Sequence, residues 1–307
     1  MFDETQQIKQ IVRDTAVLQS KARAKSFGQH FLINPQILER IVNASEPLQG
    51  RVVVEIGPGP GGLTREILRR QPAHLFVIEK DGRFVESLSA LDGVTVFNED
   101  ASDFNYSRLI EAKSDGCASQ EERASDAPPV NIRERVLQAI EAEGILDLES
   151  RLLPDIPSLI RQLCPAPIRE VPCSRLKIIS NLPYNAGSVI YANALKYADI
   201  IEDMTLMFQK EVAERLIAKS NSRDYGRLSV ITQYFTDACR VMRLAPGSFY
   251  PPPKVYSDVL HFKSRADADP HLFSELSAFC LELFQHKRKK LKNRLTHSQK
   301  ESTVNAI

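Results

Sequence analysis

Short apolar runs alternate with amphipathic segments over residues 34–100. The runs at 52–56, 75–78 and 94–97 are rich in Val, Ile, Leu and Phe and have the length of buried strands. The segments between them carry apolar residues at helical spacing, and the segment that begins at Asn34-Pro35 also has a capping residue followed by proline. Strands that alternate with helices form parallel sheets, so the pattern predicts an α/β fold.

This alternation stops at residue 108 and resumes at residue 176. The interval, about 108–174, is rich in Asp, Ser, Gly and Pro around one helical pattern, and we interpret it as an insertion outside the core. Beyond it the pattern predicts further strands at 176–179, 204–208, 239–244 and 255–262, with helices at 187–197 and 210–217.

The last part of the chain has a helical pattern. Between residues 269 and 300, apolar residues share one helix face, namely Leu272, Leu276, Phe279, Leu283 and Phe284. The chain is therefore predicted to consist of an N-terminal extension (1–20), an α/β domain that contains the insertion (21–264) and a small C-terminal helical domain (265–307).

The composition is that of a globular chain. Hydrophobic residues make up 43% of the 307 positions and charged residues 26%, which excludes wholesale disorder. No apolar run approaches the roughly 18 residues that span a bilayer, and the acidic start of the chain does not fit a signal peptide. The five cysteines never show C-x-x-C spacing, which argues against a disulfide framework or a zinc ribbon. We expect a cytoplasmic protein without a metal site.

The net charge of +1 conceals an uneven distribution. Residues 111–172 hold twelve acidic and seven basic side chains, so the rest of the chain carries a positive surplus. That surplus is concentrated in two basic clusters, one formed by Lys21, Arg23 and Lys25 and the other by Lys287, Arg288, Lys289 and Lys290. Two basic clusters far apart in sequence suggest a polyanionic partner, although a solvated helical face would give the same pattern for either cluster alone.

A glycine-rich turn follows the first predicted strand. Residues 57–62 have the spacing G-x-G-x-x-G, and Glu79 ends the next strand. Glycines let the backbone approach a ligand, and a carboxylate at a strand end suits two ribose hydroxyls. This feature does not separate a dinucleotide from S-adenosylmethionine, and a tight turn alone would also use glycines. Glu55, which suits an ammonium group, and Asp100, which can accept from an adenine amino group, favour a nucleotide-type cofactor.

A second motif, Asn181-Leu182-Pro183-Tyr184, ends the strand predicted at 176–179 on the same edge of the sheet. The amino group of a nucleobase is a poor nucleophile because its lone pair is delocalised into the ring. The Asn181 side-chain oxygen and the Leu182 carbonyl would accept both of its protons, and Pro183 would fix that carbonyl. Tyr184 offers a ring on which an extruded base can stack. The alternative is an ordinary turn that contains proline.

These motifs and several others occur together in the order found in one family. The chain closely resembles the small-subunit rRNA adenine N6-dimethyltransferases, the KsgA family, and is most similar in character to its alphaproteobacterial and mitochondrial branch. The resemblance covers residues 21–295 apart from the insertion. The segments that carry it are 25–32 (KSFGQHFL), 55–59 (EIGPG), 78–81 (IEKD), 99–101 (EDA), 181–184 (NLPY), 208–215 (FQKEVAER) and 249–255 (FYPPPKV).

The resemblance implies a Rossmann-like class I methyltransferase that uses S-adenosylmethionine. The implied reaction transfers four methyl groups to two adjacent adenosines in the 3′-terminal hairpin of 16S rRNA and contributes to small-subunit biogenesis. The implied partner is small-subunit rRNA or an immature small subunit. The protein is expected to act as a monomer and not to bind a membrane.

The same resemblance implies roles for particular residues. The implied cofactor contacts are His30, Leu32, Gly57, Glu79, Asp100 and Asn181. The implied catalytic group is Asn181, Leu182, Pro183, Tyr184 and Phe249, although packing of Phe249 in the core is an alternative. The two basic clusters are the implied RNA contacts.

Two features depart from the family pattern. His30 stands where the family usually has Asn, which puts that cofactor contact in question. The insertion is the other departure, and because it is acidic we expect a solvated loop that does not contact rRNA.

Two alternatives remain at this point. An NAD-dependent oxidoreductase would share the glycine-rich turn but has no use for residues 181–184. A catalytically reduced ribosome-assembly or transcription-associated protein that binds RNA or DNA would keep the same fold without turnover.

Overall fold

The structure, a computed structural model, describes residues 30–32, 34–111, 131–143, 155–166 and 175–285. Both basic clusters and the predicted extension at 1–20 lie outside these residues. The chain divides into two compact units. The first consists of Met1–Asp115, Val171–Ala213 and Ala238–Ser264, and the second of Gly116–Glu170, Glu214–Asp237 and Arg265–Ile307.

A seven-stranded sheet forms the core of the first unit, and a two-stranded ribbon accompanies it. The strands in chain order are β1 (Phe31–Leu32), β2 (Val52–Ile56), β3 (His74–Ile78), β4 (Val94–Phe97), β5 (Leu176–Asn181), β6 (Ile201–Gln209), β7 (Thr236–Leu244), β8 (Phe249–Tyr250) and β9 (Ser257–Ser264). The large sheet has the order β4-β3-β2-β5-β6-β9-β7, and β1 pairs with β8. The first five strands of this order, β4, β3, β2, β5 and β6, are parallel to one another, and β9 runs antiparallel to β6. This arrangement confirms the predicted α/β class.

The helices in chain order are α1 (Pro35–Asn43), α2 (Gly62–Leu68), α3 (Gly82–Ser89), α4 (Ser107–Glu111), α5 (Ile132–Glu143), α6 (Ile156–Leu163), α7 (Gly187–Leu195), α8 (Lys210–Leu216), α9 (Arg227–Phe235) and α10 (Phe273–Gln285). As predicted, the Asn34 side chain caps α1, accepting hydrogen bonds from the Gln36 and Ile37 amides. No helix within the described ranges is long and apolar enough to cross a membrane.

Strand β2 lies at the centre of the parallel part of the sheet and positions the site. All five of its residues are buried, because β3 and β5 flank it and helices cover both faces of such a sheet. The register pairs Ile56 with Ile78 and Glu55 with Ile179. The residues that follow β2, β3 and β5 therefore meet at one edge of the sheet, where ligands of open α/β folds bind.

Helices α5, α6, α9 and α10 pack against one another in the second unit. Helices α5 and α6 come from the predicted insertion, and both bury apolar residues, including Ile132, Val136, Ile156 and Ile160. The expectation of a solvated loop is wrong for these two helices. The Glu275 side chain of α10 also accepts a hydrogen bond from the Ile132 amide at the start of α5. The acidic composition is compatible with this packing because the charged residues can occupy the outer helix faces.

The boundary between the units also differs from the predicted one. Residues 214–237, which the sequence placed in the α/β domain, belong to the second unit. Helix α9 lies there and was not predicted. At the C-terminus, helix α10 follows a 3₁₀ turn at Pro270–Leu272, and the part of the predicted helix beyond residue 285 lies outside the described residues.

The buried side chains of the insertion predict a measurable stability effect. Ile160→Val removes one methylene from a fully buried position of α6 and is expected to cost about 0.5–1.5 kcal/mol of unfolding free energy. Gln162→Ala, at an exposed position of the same helix, serves as the control. Urea unfolding of the full chain measures the stability of both variants. If Ile160→Val unfolds at the same urea concentration as Gln162→Ala, the buried methylene of Ile160 adds nothing to the core.

Candidate active site

A cleft opens at the carboxyl ends of β2, β3, β4 and β5. Its walls include most of the predicted site residues: His30, Gly57, Glu79, Asp100, Asn181, Leu182, Pro183 and Tyr184. Leu32 and Phe249 are not among the residues that line it. The parallel register explains why side chains from four separate motifs reach one cleft.

The turn after β2 needs glycine for conformational and steric reasons. Gly59 has a positive φ of 54°, and a β-carbon at this position would lie 2.6 Å from the Phe31 ring. Its amide donates a hydrogen bond to Glu79 Oε2 over 3.0 Å. The turn therefore keeps the backbone against the end of β3 and leaves the cleft above it open.

Glu79 is buried at the end of β3 and lines the cleft. Its Oε2 accepts from the Gly59 amide, and its Oε1 accepts from the Asp81 amide over 2.7 Å. Burial raises the pKa of this carboxyl, and the two amide hydrogen bonds partly counteract that effect. Each carboxylate oxygen has a further lone pair, so Glu79 can still accept from two vicinal hydroxyls.

A smaller cavity adjoins the cleft and shares Gly57 and Asn181 with it. Leu32, Leu63 and Glu55 also line this cavity. Glu55 is only 1% exposed, and its Oε2 has no hydrogen-bond partner among the described residues. Burial raises the pKa of Glu55 to about 8. A buried, unpartnered carboxyl oxygen beside a cavity is suited to a cationic group.

Asp100, at the end of the β4 segment, is an ion-pair partner of Lys80. Lys80 Nζ lies 2.6 Å from Asp100 Oδ2, and the Ser102 amide donates to Oδ1 over 2.9 Å. The hydrogen bond from Lys80 lowers the pKa of Asp100 to about 2. Lys80 lines the cleft but was not among the predicted site residues. Its sequence signals were its place directly after Glu79 and its position inside segment 78–81, which carries the family resemblance.

Asn181 ends β5 with its side chain fixed. Its Nδ2 donates to the His30 carbonyl over 2.9 Å. Because a carbonyl only accepts, this contact identifies the amide nitrogen. The side-chain oxygen is then an acceptor without a hydrogen bond from any residue that the structure describes. Asn181 contributes to the walls of both cavities, so this residue stands where they join.

His30 connects three parts of the site. Its Nδ1 donates to the Pro251 carbonyl over 2.7 Å, and its ring centroid lies 5.2 Å from that of Tyr184. Its own carbonyl holds Asn181, as described above. Histidine at position 30, where the family usually has Asn, is thus held by contacts of its ring and of its backbone.

The turn after Asn181 leaves one backbone acceptor open. The Pro183 carbonyl accepts from the Ala186 and Gly187 amides, the latter over 2.8 Å. The Leu182 carbonyl, in contrast, has no hydrogen bond from any residue that the structure describes. Tyr184 is half-buried, its hydroxyl forms a hydrogen bond with the Ser257 hydroxyl, and burial raises its pKa.

Leu32 and Phe249 pack in the hydrophobic core and do not line the cleft, although Leu32 lines the smaller cavity. They are 5% and 3% exposed, and they pair with each other across β1 and β8. For Phe249 the structure therefore shows the core-packing alternative, because the register of the ribbon turns its side chain inward. Within the described ranges, no three His, Cys, Asp or Glu side chains are grouped to hold a metal.

Comparison with known proteins gives a consistent result. Residues 20–307 match the family model described as ribosomal RNA adenine dimethylase. Proteins from a Polaromonas species and from Xanthobacter autotrophicus, both named ribosomal RNA small subunit methyltransferase A, are 32% and 31% identical to this chain. Those alignments cover 88% and 92% of this chain and 81% and 80% of the relatives. A crystal structure of a dimethyladenosine transferase from Plasmodium falciparum shares the fold, with a TM-score of 0.55 at 21% identity over 90% of this chain and 82% of that one.

Proposed function

The chain belongs to the ribosomal RNA adenine dimethylase family, and on that premise we propose that it dimethylates the N6 atoms of two adjacent adenosines in the 3′-terminal hairpin of small-subunit rRNA. The fold is a Rossmann-like class I methyltransferase sheet, and the methyl donor is S-adenosylmethionine. The observation that carries the proposal is the Asn181 side chain, which lines both cavities, is oriented by the His30 carbonyl, and keeps its oxygen without a partner among the described residues.

The residues of the two cavities fit the chemical groups of S-adenosylmethionine. Glu79 can accept from both ribose hydroxyls. Asp100 can accept from the adenine amino group through the lone pairs that Lys80 and the Ser102 amide leave open. The unpartnered oxygen of Glu55 suits the ammonium of the methionine part. When bound, the cofactor supplies an electrophilic methyl group on a sulfonium.

Asn181 and Leu182 provide two acceptors for the two protons of an adenine amino group. Hydrogen bonds from those protons to the two acceptors would localise the lone pair on N6 and so make it nucleophilic toward the methyl group. In that displacement the new N–C bond would replace the S–C bond of the sulfonium, which becomes a thioether, and N6 would lose one proton to solvent. Both acceptors are fixed before the substrate arrives, one by the His30 carbonyl and the other by the Pro183 turn. Pre-oriented acceptors of this kind stabilise the charge that develops on nitrogen in the transition state.

Tyr184 provides the surface for the target base. Tyr184 lines the cleft and follows Leu182 by two residues in the sequence. Its hydroxyl forms a hydrogen bond with the Ser257 hydroxyl, which holds the side chain in place. The neighbouring His30 ring extends this surface. A single-stranded or extruded adenosine can therefore stack on Tyr184 while its amino group meets the two acceptors.

Glu55 predicts that cofactor binding depends on pH. Near pH 7 the carboxyl is mostly protonated, since its pKa is about 8, and an incoming ammonium favours the ionised form. Binding should therefore release a proton, and the affinity should rise roughly fivefold to tenfold between pH 6 and pH 7. Titration calorimetry in buffers of different ionisation enthalpy measures this release.

Glu55→Gln provides the matched control. The variant should bind S-adenosylmethionine more weakly and without this pH dependence. Because the folded-state pKa of Glu55 is raised, its protonation favours the folded protein, and stability is lost as the pH rises from the ordinary value of 4.5 through about 8. The cofactor-free variant should consequently be more stable than the wild type at pH 9. A wild-type affinity that does not change with pH would remove Glu55 from the cofactor site.

The substrate context and the remaining residue roles are also part of the proposal. Relatives named ribosomal RNA small subunit methyltransferase A suggest an rRNA partner. We expect the protein to act as a monomer and to bind this rRNA within an immature small subunit. The two basic clusters, at 21–25 and 287–290, are proposed to contact RNA phosphates. The smaller predicted domain at 265–307 would thereby serve RNA binding.

Mass spectrometry of rRNA tests the proposal in cells. A strain that lacks the gene should lose dimethyladenosine from small-subunit rRNA, and the wild-type gene should restore it. Unchanged adenine methylation in the deletion strain would favour the alternative of a ribosome-assembly or transcription-associated protein without turnover.

A further inference from the structure

The ribbon formed by β1 and β8 has one buried face and one face toward the cleft. Directly opposed residues of an antiparallel pair share a face, and successive residues alternate between faces. Leu32 pairs with Phe249, and both are buried in the core. Phe31 pairs with Tyr250, and the Phe31 ring lines the cleft. The register therefore places the Tyr250 side chain on the cleft face of the ribbon.

Tyr250 is exposed in this position. It is 40% exposed, whereas large apolar and aromatic side chains of the first unit are mostly buried. Its chain neighbour Pro251 accepts the hydrogen bond from the His30 ring, and that ring lies next to Tyr184. The backbone at Tyr250 is thus tied to the proposed base-stacking surface. Tyr250 is not among the residues that line the cleft, and from its pairing with Phe31 we infer that its ring stands at the rim.

We propose that Tyr250 stacks on the RNA nucleotide next to the adenosine that occupies the cleft. This inference rests on the proposed function, since two adjacent adenosines are modified and one must wait outside while the other reacts. An exposed tyrosine at the rim of the cleft is suited to bind the base of a single-stranded nucleotide. Any base can stack on an aromatic ring, so this contact does not depend on the RNA sequence. Phe249, on the buried face, cannot make this contact in the present register.

The test uses the full chain and an RNA hairpin with two adjacent adenosines. The nucleotide beside the target is replaced by 2-aminopurine, whose fluorescence is quenched by stacking. Tyr250→Ala should weaken RNA binding by about 5- to 100-fold and abolish the quenching, whereas Tyr250→Phe should retain both. Tyr250→Leu, which keeps an apolar side chain but no aromatic ring, should behave like the alanine variant.

Tyr256 provides the control for exposure alone. It is 50% exposed, but it precedes β9 and belongs to neither strand of the ribbon that carries Phe31 and Tyr250. Tyr256→Ala should bind RNA as the wild type does, and all variants should keep the wild-type affinity for S-adenosylmethionine.

The outcomes separate this inference from the proposed function. Wild-type RNA affinity and quenching in Tyr250→Ala, while the wild-type enzyme methylates the hairpin, would overturn the role of Tyr250 alone. Equal losses in Tyr250→Ala and Tyr256→Ala would also overturn it, since a general surface effect would then explain both. A wild-type protein that methylates neither the hairpin nor immature small subunits would overturn the proposed function itself.

Discussion

Replacing Asn181 with alanine is expected to reduce the rate of methyl transfer by about a hundredfold or more. The variant lacks the side-chain oxygen that accepts one proton of the adenine amino group, so the lone pair on N6 stays delocalised in the ring. The loss should appear in single-turnover experiments with saturating RNA and cofactor, because the acceptor acts mainly in the transition state.

Binding measurements must accompany this experiment, because Asn181 also lines the cavity proposed for the cofactor. We expect a change in S-adenosylmethionine affinity that is much smaller than the change in rate. Asn43→Ala, at the end of α1 and outside both cavities, is the control and should leave the rate unchanged. A rate within a few fold of wild type in Asn181→Ala would contradict the assignment of its oxygen as an acceptor.

Substitutions of Tyr184 are expected to divide according to whether the ring is kept. Tyr184→Ala loses base stacking, worth roughly 1–3 kcal/mol in single-stranded sites, and should fail mainly through weak RNA engagement. Tyr184→Phe keeps the ring and loses the hydrogen bond to Ser257, at a cost of about 1 kcal/mol in stability. It should therefore retain much of the activity at a lower unfolding temperature.

Ser257→Ala is the matched control for the hydroxyl contact. It removes the same hydrogen bond from the other side and should resemble Tyr184→Phe. If the Phe and Ala variants of Tyr184 are equally impaired while cofactor binding is normal, the hydroxyl matters more than the ring. The stacking assignment would then be wrong.

The edge of the sheet at which the site lies could be predicted from the sequence, because it depends only on the order of strands and motifs along the chain. Gly57, Glu79, Asp100 and Asn181 each follow a predicted strand, and strands that run parallel end at the same edge. This logic needs no knowledge of side-chain packing. It is the reason why motifs separated by the insertion could be assigned to one cleft.

Features that depend on pairing partners were not predictable in the same way. The ribbon strands β1 and β8 have two residues each, too few for an alternating pattern, so the inward position of Phe249 could not be inferred. Helix α9 is rich in β-branched and aromatic residues, which in isolation favour a strand. The burial of α5 and α6 depends on α9 and α10, which are distant in sequence.

Methylation of a defined RNA tests the central claim most directly. The purified full chain is incubated with S-adenosylmethionine and the 3′-terminal hairpin of small-subunit rRNA, and the digested RNA is analysed by mass spectrometry. We predict N6,N6-dimethyladenosine at both adjacent positions with wild-type protein and almost none with Asn181→Ala. Cofactor and RNA binding without any methylated adenosine, in the hairpin or in immature subunits, would contradict it.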